Sequence, residues 1–292
     1  MTRTFEHYGW QKVLWKRQDY PDNYVPPALF LASLQRNPNF RPYTYWPLVV
    51  LSCSLTQHLA VTFIFLAVFV RLKDQKLDPR SLICGSVLCF LVGYVIWNTL
   101  DQRGSAERHS SHLKTLKSSI MMFLALMSLS PVLRTLTAAT SSDSIWALSV
   151  VLFSLNALLA DYTASKPEDS HEGLSSVLSM NAAVSASVVL ASRLATDVSV
   201  FALMLFSIQS FALFPMLRHR LQSSSIVVWG LITIGLWFSA IYLIAELSRT
   251  IMWLCSSVLF FVTLVAPGVL LWAQRYKNII RGPWDVAVPV VR

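Results

Sequence analysis

Charge is scarce in this 292-residue chain: 13% of its residues are Asp, Glu, Lys or Arg, against 54% hydrophobic. A soluble domain carries about a quarter charged residues. Half that density cannot cover a water-facing surface, which excludes an ordinary soluble enzyme. Carboxylates are fewest, 15 in all. Each falls in a loop, a terminus or the edge of an apolar run, with Asp161 and Glu246 at run ends and Asp197 in a tight turn. No acid is therefore predicted near mid-membrane, which argues against proton-coupled transport and against carboxylate–metal catalysis. A glycine-rich phosphate loop is also missing. The four cysteines (Cys53, Cys84, Cys89, Cys255) lie inside apolar runs without zinc spacing, and read as small buried hydrophobes rather than disulfide partners. His109 and His112 have helical metal-ligand spacing but no third ligand type nearby, so neither metal nor cofactor is expected. The first 46 residues contain no apolar core of signal-peptide form.

What the chain has instead is length of apolar run. A hydrocarbon core takes roughly 20 residues of helix to cross. Residues 47–70, 81–100, 173–193, 198–217, 226–246 and 250–273 reach that length. Two weaker runs, 120–133 and 145–159, lie between them. Read as a re-entrant pair, these would bring Arg134 and Asp143 near mid-membrane, at about 2.5 kcal/mol or more per charge. Two true crossings are cheaper. The expected fold is thus all-α, a polytopic membrane bundle of about eight helices over residues 47–273, flanked by segments 1–46 and 274–292.

Eight crossings put both termini on one face. On that face the loops and ends carry seventeen Lys and Arg, against seven on the other. Basic loops stay cytoplasmic, so both termini are predicted there. Trp46, Trp97, Trp146, Trp229, Trp253 and Trp272 lie near run ends, as interfacial rings do. In the N-terminal segment, Pro26-Pro27 followed by apolar Leu29, Phe30 and Leu34 predicts a short helix lying on the membrane.

The polar groups inside the runs are mild: Gln57, His58, Asn156, Asn181 and Gln209. Such groups hydrogen-bond between helices. Ten of the eighteen residues 175–192 are Ser or Ala. Small residues let backbones approach where lipid supplies no hydrophobic drive. This run is expected to be a central helix, packed within its own bundle or on another subunit, with Ser179, Asn181, Ala183 and Ser187 as contact candidates. A substrate cleft lined by small residues is the alternative. Gln209 and Pro215 are further candidates for packing, partner or lipid contact, since Pro215 can kink its helix and release a carbonyl. No catalytic residue is assigned.

Certain short stretches carry a resemblance. Trp10-Gln11-Lys12-Val13-Leu14, Pro21-Asp22-Asn23-Tyr24, Ser130-Pro131-Val132-Leu133-Arg134, Leu178-Ser179-Met180-Asn181, Phe211–Leu217 and Arg281-Gly282-Pro283-Trp284-Asp285 run in order along nearly the whole chain. They resemble the PIG-C family, the C subunit of phosphatidylinositol N-acetylglucosaminyltransferase. The charged loop 164–172 and the short tail 287–292 depart from the family's pattern. The resemblance implies a multi-pass subunit in the endoplasmic reticulum membrane. Its complex moves N-acetylglucosamine from UDP-N-acetylglucosamine to phosphatidylinositol, the first step of glycosylphosphatidylinositol-anchor synthesis. It implies that the glycosyltransferase fold sits in PIG-A, with PIG-H, PIG-P, PIG-Q and PIG-Y as further partners.

Size agrees on independent grounds. A nucleotide-binding α/β domain takes on the order of 100 residues or more, and the longest water-exposed segment has 46. A scaffold that organises partner chains and presents the lipid acceptor is the reading these features favour. The alternatives are a self-sufficient lipid-modifying enzyme and a lipid transporter.

Overall fold

A computed structural model describes residues 15, 17–21, 24, 34–36, 42–100, 105–135, 140–162, 174–222, 226–277 and 280–281. The chain divides into two compact units, residues 45–268 and residues 1–44 with 269–292. In the second of these, Gln35–Arg36 (β1) pair antiparallel with Ile280–Arg281 (β2), and Tyr43 donates its N–H to Gln274 Oε1 at 2.9 Å. The expected surface helix after Pro26-Pro27 lies outside the described residues.

The larger unit is helical. Its elements are α1 (Tyr45–Lys73), α2 (Pro79–Leu100), α3 (Ser105–Thr135), α4 (Ser142–Leu159), α5 (Leu174–Ala191), α6 (Asp197–Ile208), α7 (Phe214–Gln222), α8 (Ile226–Ala245) and α9 (Arg249–Phe260), with α10 (Ala266–Ala273) running past its edge. A π turn at Gln209–Leu213 joins α6 to α7, and another at Phe261–Val265 joins α9 to α10. Each joined pair is one continuous rod. Among the described residues, seven helices are long and apolar enough to cross a membrane.

The eight runs read from sequence all form helices, but their ranking differs from expectation. The two weak runs reach crossing length, as Lys117–Thr135 and Ser142–Leu159. Ser and Thr at their ends lie within or cap the helices: Ser141 Oγ accepts from Ser144 N at 3.3 Å as the N-cap of α4, and Thr135 at the end of α3 donates to Val132 O at 3.0 Å. The small-residue helix α5 spans 18 residues, the same as α4, or about 27 Å. It is stopped by the turn in which Arg193 and Leu194 donate to Leu190 O and Ala191 O. On that same side the ends of the rods are tied by ion pairs, Arg71–Glu246 at 2.6 Å and Arg134–Asp197 at 3.0 Å.

The core lies where α1, α4, α5 and α6 meet. Phe65 contacts Phe153, Phe206 and Phe211, with ring centroids 5.7, 6.1 and 5.2 Å away. Ala183, Ala186, Leu190, Val200 and Leu203 are wholly buried in the same cluster as these rings. Interdigitation and dispersion hold such a core together, because lipid is as apolar as leucine. α2 packs on α6 at the periphery, and Ser86 is its one buried residue.

Both π turns precede a proline by one residue, Phe214-Pro215 and Ala266-Pro267. Proline removes one N–H from the ladder and crowds the carbonyl four residues back. A π turn opens the ladder there. For Pro267 that carbonyl is Thr263 O, which accepts from Ser52 Oγ of α1 at 3.1 Å. Tyr45 donates its hydroxyl to the adjacent Leu264 O at 3.1 Å. Pro215 accordingly does not end its helix, which runs on to Gln222.

Candidate functional site

Four helices place their polar groups in one buried seam. His58 of α1 lies 2.7 Å from Asn156 Oδ1 of α4. The Asn156 amide nitrogen donates to Ser179 O and Ser179 Oγ of α5, both at 2.9 Å. Ser179 returns its hydroxyl to Asn156 O at 2.8 Å. Both Asn156 amide protons face Ser179, so Oδ1 accepts and His58 Nε2 carries the proton that it donates. All three residues are buried.

Beyond them, towards the face where α1 begins, sits Arg218 of α7, 3% exposed. It donates to Ser54 O of α1 at 3.2 Å and to Asp161 O, just past α4, at 3.0 Å. Its guanidinium also lies 5.7 Å from the Tyr162 ring, which stands edge-on to His58. Among the described residues no carboxylate oxygen lies within 4 Å of it. Tyr162 donates to Ala157 O at 2.6 Å. Burial pushes its phenol up to about 12, with the Arg218 charge pulling the other way. It is a neutral donor at any physiological pH.

A second seam joins α1 to α8 and the second π turn. Gln57 donates to Thr233 Oγ1 at 2.8 Å, and Thr56 and Thr263 share a hydroxyl bond of 2.9 Å. Chemically, these arrangements bind helices. His58 faces an amide rather than a carboxylate, so it lacks the partner that would make it a general base. Among the described residues no group of His, Cys, Asp and Glu has a metal-binding arrangement. The side chains of His109 and His112 lie outside the described residues.

The candidate residues fall in different places. Ser179 belongs to the central seam. Ala183 and Ser187 are wholly buried in the chain's own bundle, where Ser207 of α6 donates to Ser187 Oγ at 2.6 Å. Of the two settings open to the small-residue helix, its own bundle accounts for these two residues. Asn181 is the exception, exposed on the outer side of α5. The interhelical amide is instead Asn156, on the neighbouring helix. Gln209 opens the first π turn, its amide turned so that nitrogen meets Ser86 O at 3.1 Å and oxygen meets Phe90 N at 3.2 Å. This fastens α2 to the bundle. Pro215 stands beyond that π turn, one helical turn before Arg218.

Several residues differ from their sequence reading. The charge of Arg218 reads as a loop residue, yet α7 carries it inside the bundle. The only sequence signal is its position within one turn of an apolar run. Trp229, in the first turn of α8, is 4% exposed and packs against the bundle. Cys84 and Cys89 are exposed on α2, while Cys255 is buried; all four cysteines are free.

Fold and seams together define a polytopic all-helical membrane protein whose buried polar groups serve helix association. Similarity to known proteins gives the family. Residues 10–285 match the GPI2 family, described as phosphatidylinositol N-acetylglucosaminyltransferase. The chain is 39% identical over 282 residues to the phosphatidylinositol N-acetylglucosaminyltransferase GPI2 subunit of Schizosaccharomyces pombe, covering 96% of this chain and 86% of that one. It is 34% identical over 279 residues to the C subunit of the same enzyme from Homo sapiens, covering 95% and 92%. The GPI2 subunit of Saccharomyces cerevisiae is 25% identical over 298 residues, covering 97% and 98%. No solved structure is significantly similar. The chain belongs to the GPI2, or PIG-C, family of phosphatidylinositol N-acetylglucosaminyltransferase subunits.

Proposed function

We propose that this chain is a non-catalytic membrane subunit of the complex that transfers N-acetylglucosamine from UDP-N-acetylglucosamine to phosphatidylinositol, the first step of glycosylphosphatidylinositol-anchor synthesis. It resides in the endoplasmic reticulum membrane with both termini cytoplasmic. Its bundle is a scaffold for the other subunits, PIG-A as catalyst with PIG-H, PIG-P, PIG-Q and PIG-Y. The observation that carries this reading is the full-length match to proteins named as subunits of that enzyme. The buried seams support it, since His58, Asn156 and Ser179 are engaged with one another and Gln57 donates to Thr233.

The test is reconstitution. The complex purified with this chain transfers sugar to phosphatidylinositol, and the same preparation lacking it does not. The chain alone, supplied with UDP-N-acetylglucosamine and phosphatidylinositol, yields no product. Product from the isolated chain would overturn the scaffold reading in favour of a self-sufficient enzyme.

A further inference from the structure

Between α1, α2, α8 and the rod formed by α6, its π turn and α7 lies a groove of about 510 Å³. Its lining is almost wholly apolar. Val61, Ile64, Phe206 and Leu236 form the deep end, and Gly93 and Trp97 flank the other. Cys89, Leu213 and Met216 also line it and are exposed, so the groove opens sideways from the bundle.

Its depth is set by the helices. Val61 and Leu236 lie near the midpoints of α1 and α8, whereas Trp97 and Leu217 lie within two turns of the ends of α2 and α7. From Phe206 to Leu217 the rod rises about 16 Å at 1.5 Å per residue. Half of a hydrocarbon core is about 15 Å. The groove therefore spans one leaflet, from the bilayer midplane to the face where α2 and α7 end.

Volume discriminates between occupants. A helix about 10 Å wide fills roughly 400 Å³ per turn, so the groove would hold little more than one turn. At about 30 Å³ for a water-sized group, the same space takes on the order of 17 methylenes. That is one fatty acyl chain. At the mouth stands Arg220, its guanidinium 3.7 Å over the ring of Trp97, in the basic run Arg218-His219-Arg220. An arginine held on an aromatic face at the head-group level suits a phosphate.

We propose that this groove takes one acyl chain of an anionic phospholipid, phosphatidylinositol, with its phosphate against Arg220. The choice of head group rests on the function proposed above; the acyl site rests on the geometry. Lipid tails are as apolar as the groove, so occupancy is not driven by hydrophobicity. Shape holds the chain, and the arginine selects the head group. In the orientation proposed above, the groove opens to the cytoplasmic leaflet, on the side where sugar transfer takes place.

The full-length chain in nanodiscs, with photoreactive acyl analogues of phosphatidylinositol or phosphatidylcholine, tests this by mass-spectrometric mapping. Adducts are expected to concentrate on residues 89–97 and 206–217, and to favour the inositol lipid. Gly93→Trp fills the groove and brings labelling there down to that of the other exposed faces. Gly85→Trp, on the same helix in open space, leaves it unchanged. Arg220→Gln reduces the preference for the inositol lipid about fivefold, the effect of one basic residue at an anionic surface. Even labelling of all exposed apolar faces, or equal labelling by the two lipids, would overturn the proposal. Because lipid is read on the chain alone, a failed groove is distinguishable from a failed scaffold, which shows as loss of co-purifying subunits.

Discussion

Replacing Asn156 by leucine removes three side-chain hydrogen bonds, one with His58 and two with Ser179. Hydrogen bonds between membrane helices average about 0.6 kcal/mol each, so their loss costs about 2 kcal/mol. What remains costs as much again. The buried His58 N–H has lost its acceptor, a penalty of about 1–3 kcal/mol. The sum, about 3–5 kcal/mol, corresponds to a fall in melting temperature of about 10 °C at 2–4 °C per kcal/mol. Ser179→Ala removes two bonds but leaves Asn156 bound to Ser179 O and His58, and should cost only about 1 kcal/mol. Ser154→Leu is the control: Ser154 is exposed and bonds only Val150 O of its own helix. Thermal unfolding in mild detergent, followed by fluorescence-detected gel filtration, gives the order. Adding His58→Leu to Asn156→Leu should cost less than the two single changes summed, since the stranded donor is then gone. The reasoning is refuted if Asn156→Leu melts within about 2 °C of the control.

Two further outcomes follow from the same geometry. Arg218→Met should not lower the melting temperature, because a buried guanidinium whose hydrogen bonds go to two backbone carbonyls, Ser54 O and Asp161 O, carries a desolvation cost of several kcal/mol; a drop of many degrees in the detergent melt would instead make the arginine a structural clamp. A glycosylation acceptor inserted at Asp74 should be modified in microsomes and one inserted after Tyr162 should not, as both termini are proposed to be cytoplasmic; the reverse pattern in a gel-shift assay refutes that orientation.

The helices were legible because a membrane crossing is written in run length, which needs no knowledge of neighbours. The weak runs at 120–133 and 145–159 differ from the others by Ser and Thr at their ends, and both lie in helices of crossing length. The seam was legible in kind but not in pairing. Both Asn156 and Asn181 read as interhelical amides, and only the rotation of α5 decides that Ser179 faces inward while Asn181 faces out. Arg218 was hidden for a different reason. Loop length is judged from where charge resumes, so a helix that carries its last charge back into the bundle reads as a shorter helix. The π turns were not legible at all. Proline predicts a disturbance, while its form depends on donors brought from α1 by tertiary contact.

The first π turn has a consequence for register that can be tested. A ladder closing at five residues instead of four contains one residue more than an α-helix would use. Each residue turns an α-helix by about 100°. The extra residue within Gln209–Leu213 therefore sets which face of α7 carries Arg218 towards Ser54 and Asp161. Deleting Ala212 alone returns a regular helix but leaves Pro215 inside it, at a cost of about 3 kcal/mol. Deleting Ala212 together with Pro215→Ala removes both the extra residue and the proline, so α6 and α7 keep their faces. Deleting Leu205 from the regular part of α6 instead swings the preceding residues by about 100° relative to the π turn and takes the buried Leu203 out of the core. Monodispersity and detergent melting should thus rank the double change best, the Ala212 deletion second and the Leu205 deletion last. If the Leu205 and Ala212 deletions behave alike, the extra residue is not what fixes the position of Arg218.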